Sequence, residues 1–311
     1  MIGCKQLMHV LQYRSLSALC FGYNEKEQLA WPWRLVFVSN FMASVFTAYF
    51  VTDPLMNDLI ILHGLNLAFQ GMWWFCFLMC LFVSPGVVVD RDPGKVKDHS
   101  ATYEKAVEIM GNSTGATDEP PYPAVCHTCH VRRPLRAKHC KNLGRCIHKF
   151  DHFCPFVGNT VGRDNYRYFV GLLFVHIVCA VLWEITAYWY SCRVTVSWYF
   201  VAFMVYSAFW AFALCGLLNY HCLLLMRNLT TNEQIGLHKY AYFKNSMGLI
   251  HNPFDREPWS NCWDGLFPSQ MVYYSREEFI YYERPDLRAE LCKGDNSHHG
   301  DLETERSQLL A

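Results

Sequence analysis

Four stretches of this chain are apolar almost without interruption, and polar residues gather between them. They run roughly from Leu35 to Thr52, Leu59 to Val83, Tyr168 to Tyr190 and Val196 to Met226. A helix needs about 20 residues to cross the hydrocarbon core of a bilayer. These runs reach or approach that length, and Glu184 is the one acid inside them. Aromatic residues crowd their ends, among them Trp31, Trp33, Trp73, Trp74, Tyr188, Trp189, Trp198 and Tyr199, as at a membrane–water interface. The pattern predicts four transmembrane helices and an all-α polytopic membrane protein.

The connections are unequal. Those after the first and third runs are about five residues each, a typical tight link between neighbouring helices. The middle one, residues 85–167, carries thirteen Lys and Arg. Positive charge collects on the cytosolic side of short loops. The N terminus, the middle loop and the C-terminal tail are therefore expected in the cytosol. The expected layout is a cytosolic segment 1–30, helices 1 and 2 within 31–84, a cytosolic linker and cysteine-rich domain 85–167, helices 3 and 4 within 168–226, and a tail 227–311. Within the third helix, His176 and Glu184 raise the question of an intramembrane relay. The simpler reading leaves Glu184 reaching water or a tryptophan near the helix end.

Composition agrees with a membrane setting. Hydrophobic residues make up 52% of the 311 and charged residues 17%, too apolar for most soluble domains. The formal net charge is zero, so nothing in the balance points to nucleic acid. The first 30 residues lack the continuous apolar core of a cleavable signal. Of the 15 cysteines, five lie between Cys126 and Cys154 among His, Lys and Arg. That clustering favours metal or thiol chemistry in a reducing compartment over secreted disulfides.

The cluster opens with Cys126-His127-Thr128-Cys129, followed by His139-Cys140 and Cys146. A CxxC turn with a later His and Cys can close a Cys₃His shell around a tetrahedral zinc, which makes Cys126, Cys129, His139 and Cys146 a candidate structural site. Further on stands Phe150-Asp151-His152-Phe153-Cys154-Pro155.

Taken together, Cys126-x2-Cys129-x3-Arg133-Pro134-x-Arg136-x2-His139-Cys140 and Cys146-x4-Asp151-His152-Phe153-Cys154-Pro155 resemble the cysteine-rich domain of the DHHC-type protein S-acyltransferases (palmitoyltransferases). The likeness continues through Asn159, Gly162, Asn165 and Phe169. Thr230-Thr231-Asn232-Glu233 resembles the family's TTxE motif, and Asn252-Pro253-Phe254 with Asn261 its C-terminal motif. The resemblance covers residues 30–267 and the four-helix arrangement. It implies palmitoyl-CoA as acyl donor, with Cys154 as nucleophile, His152 as base and Asp151 as the group that orients the base. It also implies that Thr231 hydrogen-bonds Asp151, that cytosolic cysteines of membrane-associated proteins are acceptors, and that the setting is the endoplasmic reticulum or Golgi.

One departure shapes the expectation. The family's domain usually holds two zincs, but of the second set only Cys140 remains. Leu143, Phe153 and Thr160 stand where two cysteines and the second His of DHHC would be. Replacement of that ion by a small apolar plug, and hence one zinc per chain, is expected. Because the lost His is a metal ligand and not part of the triad, Phe153 leaves Asp151, His152 and Cys154 intact. Arg132, Arg133, Arg136, Lys138 and Arg145 are candidates for the CoA phosphates, or are ordinary charge beside anionic lipid. The competing functional reading is an inactive family member serving as a membrane adaptor.

Overall fold

The computed structural model describes residues 32–88, 103, 104, 107, 125–193, 196, 198–245, 247–269, 273, 279, 280 and 283–287. The expected cytosolic segment 1–30, most of the linker before Val125 and the end of the tail lie outside them. The described residues divide into two compact units, one within 1–84 and 153–223, the other within 85–152 and 224–311.

The first unit is helical. Helix α1 spans Pro32–Thr52, a short 3₁₀ turn covers Pro54–Leu59, and α2 runs Ile60–Phe82. Helix α3 is Tyr166–Ser191 and α4 is Trp198–Met226, whose last turn passes into the second unit. Pro32 opens α1, where its missing N–H costs nothing, so that helix begins three residues before its apolar run does. The segments Asn57–Phe82, Tyr166–Ser191 and Phe200–Met226 are long and apolar enough to cross a membrane. Helix α1 is 21 residues long but less apolar, carrying Ser39, Asn40, Ser44 and Thr47. Three of these return their polar groups to the backbone four residues back: Asn40 to Val36, Ser44 to Asn40 and Thr47 to Ala43.

Side chains on the apolar helices face two ways. Val205, Phe209 and Phe212 of α4 and Phe174 and Val181 of α3 are more than half exposed, which in water would be an aggregating surface and in lipid is solvation. The inward faces carry the polar groups. Asn66 Nδ2 donates to Thr186 Oγ1 (3.0 Å), and Trp73 Nε1 donates to His176 Nδ1 (2.9 Å). Helices α2 and α3 pass closely at Gly171, where a Cβ would stand in ordinary contact with Cys76 Sγ at 3.5 Å. His176 is thus partnered by Trp73, while Glu184 lies more than two helical turns further along α3.

Asn159 secures the C-terminal end of α2. Its amide donates to the carbonyls of Cys80 (3.0 Å), Leu81 (3.3 Å) and Val83 (3.1 Å), groups that a helix C-terminus leaves without backbone partners. Asn165 does similar work one turn on. It accepts from Gly162 N (2.9 Å) and donates to Thr160 O (2.9 Å) just ahead of α3.

The cysteine-rich region is not helical, and the all-α expectation does not extend to it. Six short strands form three hairpins: β1 (Val125–Cys126) with β2 (Val131–Arg132), β3 (Lys138–Cys140) with β4 (Arg145–Ile147), and β5 (His152–Cys154) with β6 (Asn159–Val161). Strands of two or three residues leave no period-two pattern to read, so turns and ligand spacing set them. In the second unit, helices α5 (Thr231–Gly236) and α6 (Pro258–Leu266) follow the last turn of α4.

Replacing Asn159 by Ala takes the amide donor from three carbonyls at the end of α2, those of Cys80 and Leu81 buried. The expected cost is about 1–3 kcal/mol, read as a lower thermal unfolding temperature in detergent.

Candidate functional site

The four expected zinc ligands come together. One candidate atom from each of Cys126, Cys129, His139 and Cys146 lies within 4.8 Å of all the others. The first two sit on the β1–β2 hairpin, and His139 stands directly opposite Cys146 on the β3–β4 ladder. His139 Nδ1 is 3.5 Å from Cys126 Sγ, 3.3 Å from Cys129 Sγ and 3.9 Å from Cys146 Sγ. A tetrahedral zinc, with sulfur at about 2.3 Å and nitrogen at about 2.0–2.1 Å, separates S and N by about 3.6 Å. The observed distances straddle that value. Val88, Val131 and Ala137 pack around the thiols.

The thiols' proton affinities diverge. Burial and then the neighbouring Cys126 thiol push Cys146 far up. Against the upward pull of burial, the N–H groups of Cys129 and Thr128 and the Cys146 thiol hold Cys126 down. Three thiols this close cannot all ionise side by side without a cation, so the donor set fits a zinc ion. Among the described residues it is the one group of metal-ligating side chains so assembled. Elsewhere in the expected second set, Cys140 and Thr160 are buried and Leu143 and Phe153 half-buried.

Strand β5 carries His152 and Cys154 two residues apart, so both project from one face of that strand. Asp151, 1% exposed, accepts from both ends. Its Oδ2 lies 2.6 Å from His152 Nδ1, and its Oδ1 accepts the backbone N–H of Thr231 at 2.8 Å. The link to Thr231 therefore runs through the main chain. The Thr231 hydroxyl oxygen is itself buried without a hydrogen-bond partner.

Glu233 explains why that N–H stands where it does. Thr230 and Glu233 form a reciprocal capping box at the start of α5: Glu233 N donates to Thr230 Oγ1 (3.1 Å), and Thr230 N donates to Glu233 Oε2 (3.0 Å). Arg136 then grips the same carboxylate with Nε (2.7 Å) and Nη2 (2.6 Å). The Glu233 side chain is 2% and the Arg136 side chain 10% exposed. Arg136 also donates to Asn228 Oδ1 (3.0 Å) and Asn228 O (2.9 Å), and stacks over Phe254 at 4.2 Å. Burial works against its charge, and the Glu233 carboxylate more than offsets that.

This placement corrects one expectation. Arg136 is spent inside the protein and is withdrawn from the phosphate candidates. Lys138 donates to Asn232 Oδ1 and lies over the Phe150 ring. Arg132 and Arg133 are half-buried, and Arg145 is exposed on β4. In sequence the TTxE stretch reads only as a family motif, and the structure shows it to be a capping box; its buried arginine partner, 97 residues away, gave no local signal. The C-terminal motif serves the end of α4: Asn252 Nδ2 donates to Arg227 O (2.7 Å) and Asn261 Nδ2 to Met226 O (2.7 Å).

The family model for DHHC palmitoyltransferase matches residues 120–237. Palmitoyltransferase ZDHHC17 of Mus musculus and of Homo sapiens is in each case 31% identical over 252 residues, covering 71% of this chain and 39% of that protein. Palmitoyltransferase ZDHHC5 of Canis lupus familiaris is 30% identical over 254 residues, covering 75% of this chain and 33% of that protein. The chain thus matches between a third and two fifths of the length of these relatives.

Replacing Arg136 by Met leaves a buried carboxylate without its cation and is expected to cost about 3–5 kcal/mol. Replacing Glu233 by Met as well should recover much of that loss. Chemical unfolding of the single and double variants checks both.

Proposed function

We propose that this chain, which belongs to the DHHC palmitoyltransferase family, is a protein-cysteine S-palmitoyltransferase acting by ping-pong transfer. The observation that carries the reading is the doubly anchored Asp151, with His152 on one oxygen and the Thr231 N–H on the other. A carboxylate so held fixes the imidazole tautomer and stabilises the imidazolium.

In the first half-reaction His152 takes the proton of Cys154, and Cys154 Sγ attacks the thioester carbonyl of a long-chain acyl-CoA. The carbon–sulfur bond to CoA breaks, the leaving thiolate recovers the proton, and an acyl-Cys154 thioester remains. In the second, His152 deprotonates the cysteine of an acceptor protein, which attacks that thioester and regenerates Cys154. Acceptors on this reading are membrane-associated proteins with cytosolic cysteines, and the setting is the endoplasmic reticulum or Golgi. Both termini and the cysteine-rich domain face the cytosol, and α1 completes four membrane spans. Each buried methylene contributes about 0.8 kcal/mol, which favours holding a long acyl chain among apolar helices. Arg132, Arg133, Lys138 and Arg145 remain the candidates for the CoA phosphates.

Cys126, Cys129, His139 and Cys146 would hold one structural zinc, which supplies no chemistry to the transfer and pins the two hairpins. Of the family's second ligand set Cys140 alone remains, and Leu143, Phe153 and Thr160 stand at the other positions, so one zinc per chain is expected.

Incubating the detergent-purified protein with labelled palmitoyl-CoA should give a hydroxylamine-sensitive adduct, absent from Cys154→Ser and slowed by about 10²–10⁴-fold in His152→Ala. An adduct that survives Cys154→Ser would overturn the reading. Thr231 supplies a finer test. Thr231→Val removes only an unpartnered hydroxyl and should leave the rate within about twofold. Thr231→Pro is tolerated at the first position of a helix but removes the N–H on Asp151, and should slow adduct formation by about tenfold or more.

A further inference from the structure

Helix α6 (Pro258–Leu266) is turned the wrong way for water. A surface helix ordinarily buries its apolar face and leaves its polar face in solvent. In α6 the buried positions are Asn261 and Gly265. Trp259 and Trp263, with Phe267 just past the last turn, are 81%, 58% and 48% exposed. Spaced four residues apart, these three form one stripe, and the Trp263 and Phe267 rings meet at 4.7 Å. At about 3.6 residues per turn, that stripe falls on the side of the helix opposite Asn261 and Gly265.

The inward face is fastened to a helix that is long and apolar enough to span a membrane. Asn261 Nδ2 donates to Met226 O (2.7 Å), and a Cβ at Gly265 would stand 2.3 Å from Leu225 Cδ2. Helix α6 therefore lies directly on the last turn of α4, which belongs to the same compact unit and closes the apolar segment Phe200–Met226. The end of a spanning helix stands at the bilayer surface, and α6 shares that level. A second segment repeats the arrangement. Asn252 Nδ2 donates to Arg227 O (2.7 Å), and the loop before it is turned by Asn245 Oδ1, which accepts from Met247 N (3.0 Å) and Leu249 N (2.9 Å). That loop leaves Met247, Leu249 and Ile250 exposed. Arg227 and Lys244 beside these elements are exposed cations, suited to an anionic lipid surface.

We propose that α6 is an interfacial helix, seating Trp259, Trp263 and Phe267 among the glycerol and upper acyl groups of the phospholipid around the end of α4. Indole suits that depth, because its ring is apolar and its N–H reaches water or an ester carbonyl. Lipid is favoured over a protein partner by continuity with the spanning helix: Met226, whose carbonyl Asn261 holds, is itself exposed. The chain runs on from α4 into α5, whose first N–H holds Asp151. Seating α6 thus sets the height of that carboxylate above the bilayer. The inference requires only that α4 crosses the membrane, and it stands whether or not the protein transfers an acyl group.

The test uses the full chain in nanodiscs of phosphatidylcholine and phosphatidylserine, with the photo-crosslinker benzoylphenylalanine replacing Trp259 in one preparation and Trp263 in another. Irradiation followed by mass spectrometry of the α6 peptide should show a phospholipid adduct at each position. An adduct to a second copy of the chain, or no lipid adduct, overturns the proposal. A second measurement introduces no bulky residue. The emission lost in the double variant Trp259→Phe, Trp263→Phe, matched to wild type in melting temperature, reports these two indoles. In nanodiscs whose phospholipids are brominated high on the acyl chain, that emission should fall about twofold or more. Emission that bromination leaves unchanged overturns the proposal whatever the crosslinks show.

Discussion

The buried ion pair between Arg136 and Glu233 is the contact on which the rest of the site depends. A carboxylate withdrawn from water is costly unless every oxygen is answered, and Glu233 is answered by a guanidinium, a helix N-terminal N–H and a tyrosine hydroxyl. Because the same carboxylate closes the capping box of α5, satisfying it also fixes where Thr231 sits. Thr231 N–H then fixes Asp151, and Asp151 fixes His152. The two long-range links, Arg136 to Glu233 and Thr231 to Asp151, are short hydrogen bonds between residues far apart in sequence. A displacement of Glu233 would therefore be felt at the imidazole.

This chain of dependence is separate from the cluster of candidate metal ligands. The metal cluster holds β1–β2 against β3–β4, while Asp151 and His152 follow β4 in sequence and are anchored by the C-terminal segment. Leu143, Phe153 and Thr160 make none of the hydrogen bonds of that second anchor.

Much of this was legible beforehand, and for identifiable reasons. Helices α2, α3 and α4 announced themselves because a span of lipid-facing residues must be apolar on nearly every side, and α1 was legible as a helix though its serines and asparagine dilute the signal. The zinc quartet was legible because tetrahedral coordination demands closely spaced thiols. Asp151, His152 and Cys154 stood out as neighbours in sequence. The cations did not sort themselves. Arg136 reads like Arg132 and Arg133 in a basic run, and only the fold reveals that it is buried against Glu233. Likewise Thr231 was expected to act on Asp151, but a side-chain hydroxyl and a backbone N–H cannot be told apart in a string of letters. The hairpins were missed because strands of two or three residues carry no periodic signature.

Native mass spectrometry of the detergent-purified chain after brief exposure to palmitoyl-CoA tests the central claim most directly, since it counts metal and acyl groups on the same molecule. The account predicts one zinc and one palmitoyl group per chain, with the acyl group mapped to Cys154 and the zinc retained when that residue is serine. A chain carrying two zincs, or one that binds its zinc and remains unacylated, would contradict it.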